Sequence, residues 1–338
     1  MKSDKETLEA AVADERLAAV LRYSGVLRTA LSTFMRPWLE TAKRSNGLIY
    51  TTWHQTRGAG GGARTGRLSS SPNFQNIPKE FDNLFEKVAP PFELPDPPMC
   101  RRYIKAYPGQ VLAGRDFASQ ELRILAHFED GVMLNAFRND PTVDLHTYAA
   151  NLITDTTGLH VTRQAAKTLG FAIIYGAGIG RVARGLKCSY DEARQFYDAY
   201  LDAFPGIEGL RERLNGNARS DKPIWTLGCR PFKCEDPRFI EGVGCRNYEY
   251  KMINTLVQGS AADQTKQAMI DFHERAGPGK LLLTVHDELV FSTPPEQLDA
   301  DMEILRDVMD ATEALGLDTP MRSDGEVGDN WASMEKAA

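Results

Sequence analysis

No run of apolar residues in this 338-residue chain approaches the length needed to cross a bilayer. The N-terminus, from Met1 to Leu17, is polar and helix-forming; it has no apolar signal core and is too acidic for a transit peptide. These absences predict a cytoplasmic protein with no membrane partner. Cysteine is scarce. The five residues are odd in number and scattered, which argues against a disulfide scaffold and for a reducing compartment. Cys229, Cys234 and Cys245 are neighbours in sequence, but neither gap is that of a short zinc knuckle and no His is close by. A basic excess is missing too: the net charge is -6, whereas nucleic-acid-binding domains are usually basic. Acids, however, are themselves absent from Gln55 to Lys79 and from Ala177 to Ser189, where Arg57, Arg64, Arg67, Lys79, Arg181, Arg184 and Lys187 carry the charge. Local basic surfaces on an acidic chain remain compatible with a bound polyanion.

A hydrophobic content of 42% and a charged content of 25% are those of a globular protein, and the length allows one large or two modest domains. The spacing of apolar residues predicts helix from Thr7 to Ala42, interrupted near Gly25 and Pro37, then a β-like run from Leu48 to Trp53 and a flexible loop from Gly58 to Ala63. Pro90 to Pro98 reads as an extended connector. Tyr103 to Tyr107 and Gln110 to Phe117, on either side of Pro108 and Gly109, read as a hairpin. Helices are predicted from Glu121 to Phe128, Asp144 to Ile153, Arg163 to Tyr175, Ser189 to Phe204 and Ile207 to Ser220, with Pro205 and Gly206 separating the last two. An irregular turn from Trp225 to Arg238, a long helix from about Glu249 to Arg275, a hairpin from Leu281 to Ser292 and a helix from about Glu296 to Leu315 complete the pattern. No internal repeat is present. The fold class is α+β: an antiparallel sheet of hairpins surrounded by helices.

Two carboxylates stand out. Asp116 ends an apolar strand just before a helix, and Asp287 sits with His286 and Glu288 at the bend of the hairpin from Leu281 to Ser292. Acids set into apolar strands must be solvated, paired or bound to a cation. Brought together by one sheet, Asp116 and Asp287 would form a minimal magnesium cage, because that ion takes one or two protein carboxylates and leaves its other positions to water and phosphates. Alone, each is equally an ordinary solvated strand-end acid. Arg163, Lys167, Phe171 and Tyr175 recur every four residues and so form one slowly turning helical stripe. Two cations followed by two aromatics suit a triphosphate at one end and flat rings at the other. An amphipathic helix with a solvated basic end and core aromatics has the same spacing.

The segment from Asp116 to Arg123 resembles motif A of the family A (bacterial DNA polymerase I-like) DNA polymerases, that from Arg163 to Gly176 resembles motif B, the O helix of the fingers, and that from Val285 to Glu288 resembles motif C. Thr65 to Ser71 and Gln75 to Pro78 resemble the family's template-primer segment. Asp144 to Thr147 and Asn254 to Asp263 are also similar to family segments, all in the family's order, and the likeness runs from about residue 20 to the C-terminus. It implies a right-hand polymerase with thumb-helix remnants in 1–45, palm in 46–130, fingers in 131–245 with the O helix at 162–176, and palm again in 246–338. It further implies template-directed DNA synthesis from dNTPs on a primed template by two-metal phosphoryl transfer.

By the same resemblance, Asp116 and Asp287 would hold two Mg2+ ions, with the Phe117 carbonyl as a further ligand. Arg163, Lys167 and His146 would meet the incoming triphosphate, Lys167 also protonating the departing pyrophosphate. Phe171 would pack on the nucleotide, Tyr175 would occupy the template-base position until the fingers close, and Glu121 would exclude a ribose 2′-hydroxyl, with Gln120 beside it among the nucleotide-binding residues. Arg67, Asn254 and Gln258 would contact the minor groove, where every base pair offers acceptors; His286 and Glu288 would lie near the primer terminus. Ser119 and Gln120 depart from the usual motif A, and Gln164 from the usual motif B. The resemblance includes no proofreading exonuclease and little thumb, so a separate exonuclease and thumb subunit or a processivity factor is an expected partner. A single-subunit RNA polymerase-like enzyme and a non-catalytic nucleic-acid-binding relic are the competing readings. Phe171 and Glu121 favour deoxynucleotides over the first, and the intact Asp116, Lys167 and Asp287 argue against the second.

Overall fold

A computed structural model describes residues 12–56, 62–79, 98–242 and 244–337. The start of the first predicted helix, most of the loop from Gly58 to Ala63 and nearly all of the connector from Pro90 to Pro98 therefore lie outside the described residues. The chain enters through helix α1 (Glu15–Thr29), a π-helical turn (Ala30–Met35) and α2 (Arg36–Arg44). The expected breaks do not occur. Gly25 stays inside α1, and Pro37 sits in the first turn of α2, where its missing N–H costs least. A small ribbon follows, β1 (Thr52–His54) against β2 (Ser69–Ser71).

Strand β3 (Val111–Phe117) runs into α3 (Gln120–Glu129) and α4 (Val132–Asn139). A helical block comes next: α5 (Leu145–Thr157), α6 (Arg163–Ile174), α7 (Ile179–Leu186), α8 (Tyr190–Ala203) and α9 (Pro205–Arg219). Pro205 separates α8 from α9 as expected, yet it does so by starting α9 at its first residue. Two short hairpins, β4 (Ile224–Trp225) with β5 (Pro231–Phe232) and β6 (Arg238–Ile240) with β7 (Gly244–Arg246), lead to the long helix α10 (Met252–Ala276). Strands β8 (Leu281–Val285) and β9 (Glu288–Thr293), helix α11 (Leu298–Asp310), β10 (Ser323–Gly328) and β11 (Glu335–Lys336) close the chain.

The main sheet is antiparallel with order β11-β10-β3-β9-β8. Its alternating side chains serve two cores. Ala113, Phe117, Leu289 and Phe291 join the large core built with Phe272 of α10 and Leu305 of α11. Leu112, Leu283, Val285 and Val290 face the other way, into a smaller core with Phe34, Trp38, Phe74, Ile77 and Trp331. Phe291 is wholly buried, so truncating it to Ala would cost about 3–5 kcal/mol. At Gly114 a Cβ would lie 2.7 Å from the Leu289 carbonyl oxygen, which is why β3 and β9 can approach so closely there.

The hairpin expected between Tyr103 and Phe117 is not formed. Tyr103 ends a short 3-10 turn, Lys105 makes a single bridge to Asn330, and the Tyr107 amide is taken by Ser292 Oγ at 3.1 Å. Strand β3 pairs instead with β9 and β10, both remote in sequence. The hairpin expected from Leu281 to Ser292 is present as β8 and β9.

Candidate active site

The register of β3 on β9 sets Asp116 directly opposite Glu288, and the Phe117 amide donates to the Asp287 carbonyl at 3.1 Å. The hairpin bend is two residues long. His286 takes φ +59°, the left-handed conformation that such tight turns require at their first position. Strand β3 ends at Phe117, the chain turns at Ser119, also left-handed at φ +58°, and α3 starts at once, so Glu121 stands within a turn of the Asp116 strand end.

Asp116 reaches solvent at the cleft yet is hemmed in by protein, and Asp287 is half-buried. Loss of water, and then the charges of Asp287 and Glu288, push the Asp116 carboxyl up to about 7. Burial likewise pushes Asp287 up, against the pull of its own backbone and of Arg67. Among the described residues neither carboxylate forms an ion pair, and no group of three or more metal-ligating side chains exists. Two accessible, uncompensated carboxylates on adjacent strand ends fit a hard divalent cation that completes its shell with water and substrate oxygens.

Glu288 is differently placed. Its carboxylate accepts a hydrogen bond from Trp331 Nε1 at 2.7 Å and lies 3.9 Å from Arg101 Nη1. Sequence reading did not single out either partner, and no local pattern marks them.

Helix α6 carries the predicted stripe, capped by Thr162, whose side chain accepts from the Ala165 amide. Arg163 pairs with Asp144 at 2.6 Å, and Asp144 in turn caps α5, which brings His146 against Phe171 with ring centroids 5.8 Å apart. Burial holds the His146 imidazole below its usual range, only partly offset by Asp144. Lys167 is half-buried and has no ion-pair partner among the described residues. Phe171 and Tyr175 stack at 6.0 Å, and the Tyr175 hydroxyl donates to Glu121 Oε2 at 3.1 Å. Arg67 bonds the other Glu121 oxygen. Burial raises the Tyr175 pKa, Glu121 raises it further, and a hydrogen bond with Gln258 lowers it. One network thus joins Arg67, Glu121, Tyr175 and Gln258 across four separate segments.

Asn254 lies a turn before Gln258 on α10, and its Oδ1 is buried without a partner among the described residues. Asp263, further along, ties the β4–β5 hairpin to α10 through Arg230 and the Gly228 amide. Gln120 must be corrected. It is 3% exposed and its amide donates to the Ala261 carbonyl, Gln264 and Thr265 of α10, so it packs away from Glu121 and is not free to meet a nucleotide. Lys266, not singled out from the sequence, lines a small hollow with Arg67, Gln75 and His286. Burial lowers its pKa, assisted by Arg230 and opposed by Asp263.

The profile of DNA polymerase family A matches residues 1–333. The chain belongs to DNA polymerase family A. It is 31% identical to DNA polymerase I of Caldicellulosiruptor bescii over 97% of its own length and 37% of that protein. Thermostable DNA polymerase I of Thermus aquaticus is 30% identical over 99% of the chain and 39% of the relative. A solved structure described as the POL domain of Pol1 from M. smegmatis in complex with DNA primer-template and dNTP aligns with a TM-score of 0.78 at 26% identity. It covers 98% of this chain and 57% of its own. The chain therefore spans well under half of these curated relatives. No described helix is long and apolar enough to cross a membrane.

Proposed function

We propose that the chain is the palm and fingers of a DNA-directed DNA polymerase that extends a primer 3′ end on a DNA template. The observation that carries this reading is the juxtaposition of the Asp116 and Asp287 strand ends. The α6 stripe and the shared Arg67–Glu121–Tyr175–Gln258 network support it.

Asp116 and Asp287 would hold two magnesium ions, with the Phe117 carbonyl as a further ligand; bound there, the ions would activate the attacking oxygen and stabilise the leaving one. Lys167 and Arg163 would receive the triphosphate, Arg163 exchanging Asp144 for phosphate, and Lys167 would donate a proton to the departing pyrophosphate. The neutral His146 would donate to the same phosphates while bracing Phe171 for the sugar. Tyr175 reaches across to Glu121, so a nucleotide that enters beside Phe171 must break that hydrogen bond. Glu121 is then left facing the sugar, and a 2′-hydroxyl would collide with it. Arg67, Asn254 and Gln258 offer donors to minor-groove acceptors common to all base pairs, and His286 lines the hollow next to them. An exonuclease and thumb partner or a processivity factor is consistent with this reading.

The test is Mg2+-dependent extension of a labelled primer by the wild-type chain and by Asp287→Asn. Loss of extension, with duplex binding kept within a few-fold, is expected for the variant; continued synthesis would remove the metal assignment. Extension with rNTPs in place of dNTPs would favour the RNA polymerase reading, and no extension by the wild type the relic.

A further inference from the structure

We infer that Arg101 and Trp331 are positioning residues that hold the Glu288 carboxylate away from the metal-binding pair, so that Asp116 and Asp287 alone face the ions. This rests on the reading of that pair given above. Glu288 is the direct cross-strand partner of Asp116, and side chains at such positions stand on one face of the sheet, about 5 Å apart at Cβ. A carboxylate so close to Asp116 is within reach of any ion held there. Magnesium sites that act on phosphates keep protein carboxylates few, because each added one displaces a water or a substrate oxygen and tightens the hold on the metal.

The restraint on Glu288 is built from behind. Trp331 Nε1 donates to Oε1 at 2.7 Å, and Arg101 Nη1 stands 3.9 Å from Oε2. Neither depends on Glu288 for its own position. The Arg101 guanidinium lies 3.7 Å from the centre of the Trp331 ring, and its Nε and Nη2 both donate to the Ile77 carbonyl at 3.3 Å. The Trp331 amide donates to the Ile104 carbonyl at 3.0 Å. Arg101 is 7% and Trp331 4% exposed, so solvent cannot loosen the contact. Ile77 belongs to the predicted template-primer segment, and Gln75 of the same segment donates to the Thr284 carbonyl of β8 at 3.3 Å. The clamp thus fastens that segment and the catalytic hairpin to one another.

An ion pair that served stability alone would leave metal binding unchanged when weakened. The deciding measurement is a calorimetric titration of the full chain with Mn2+, without DNA or nucleotide, for wild type, Trp331→Phe, Arg101→Lys and the double variant Trp331→Phe/Glu288→Gln. Freed Glu288 should tighten Mn2+ binding on the order of 3- to 10-fold in each single variant, and removing its charge should return the double variant to within about 2-fold of wild type. The Mg2+ concentration for half-maximal extension should fall in the same order. Single variants that melt cooperatively yet bind Mn2+ as wild type does would overturn the inference, as would a tightening that persists in the double variant. If Trp331→Phe fails to fold, Arg101→Lys, which keeps the charge but loses the stacked fork, decides the matter. Unchanged variants beside a wild type that binds Mn2+ and extends primers remove the clamp alone; a wild type that does neither removes the proposed function with it.

Discussion

Asp116 carries a cost that Lys79 relieves only in part. Its carboxyl, pushed up to about 7 by burial and by Asp287 and Glu288, holds its proton longer in the folded chain than in the unfolded one. The folded state therefore binds more protons, and the stability tied to this group is lost as pH rises from about 4 to about 7. A cation reverses that loss, since it binds the ionised form and displaces the proton. Two results are expected. Asp116→Asn should raise the melting temperature of the metal-free chain by about 2 °C at pH 8 and by less at pH 5.5. The Mg2+ concentration for half-maximal extension by the wild type should fall as pH rises through about 7 and then level off. A half-activating concentration flat across that window would show that the pair does not titrate with the metal. Glu121 is bonded by Arg67 on one oxygen and Tyr175 on the other, so Glu121→Ala both opens the space beside the sugar and frees Tyr175. Ribonucleotide incorporation relative to deoxynucleotide should rise at least tenfold, equivalent to about 1.4 kcal/mol, in single-turnover extension. An unchanged ratio would place the gate elsewhere.

Helix α6 ends in a tight, closely packed turn. Gly176 follows Tyr175 at φ +61°, and a Cβ there would sit 2.4 Å from the Tyr250 carbonyl oxygen, a backbone atom that cannot step aside. Gly178, two residues on, has open space around it. Gly176→Ala should destabilise the chain by about 1–3 kcal/mol and slow extension through a displaced Tyr175, while Gly178→Ala should do neither. Equal effects of the two in denaturation and steady-state extension would argue against a special role for the α6 terminus. The same helix shows what local sequence can convey. Its four-residue stripe and the β8–β9 hairpin are written in contiguous residues and can be read directly. Strand β3 could be recognised as a strand but was assigned the wrong neighbour, because alternation fixes which side chains share a face and not which strand lies alongside. Gln120 failed for a related reason: adjacency to Glu121 places it on another face of α3, toward α10. Arg101, Trp331 and Glu288 meet only in three dimensions, so their contact had no signature in the chain.

At the scale of the molecule, the proposed function sets a net charge of -6 against a polyanionic substrate. Several cations around the cleft are already matched, Arg67 by Glu121, Arg163 by Asp144 and Arg230 by Asp263. Binding a primer-template must then exchange existing pairs for phosphate contacts, and few counterions are released in net terms. The logarithm of the binding constant should fall with the logarithm of salt at a slope no steeper than about -5, as expected for roughly five phosphate contacts. Lys266 is a cation in need of an anion: it is half-buried beside Arg67, Gln75 and His286, with burial and Arg230 working against its charge and Asp263 only partly offsetting them. A phosphate delivered into that hollow would restore the charge that burial penalises. Lys266→Ala should therefore weaken primer-template binding about tenfold at low salt and make the salt slope shallower by about 1, with the same loss for every template sequence. Fluorescence anisotropy across a salt series measures both, and a slope unchanged by the substitution would mean that the primer-template backbone passes this hollow by.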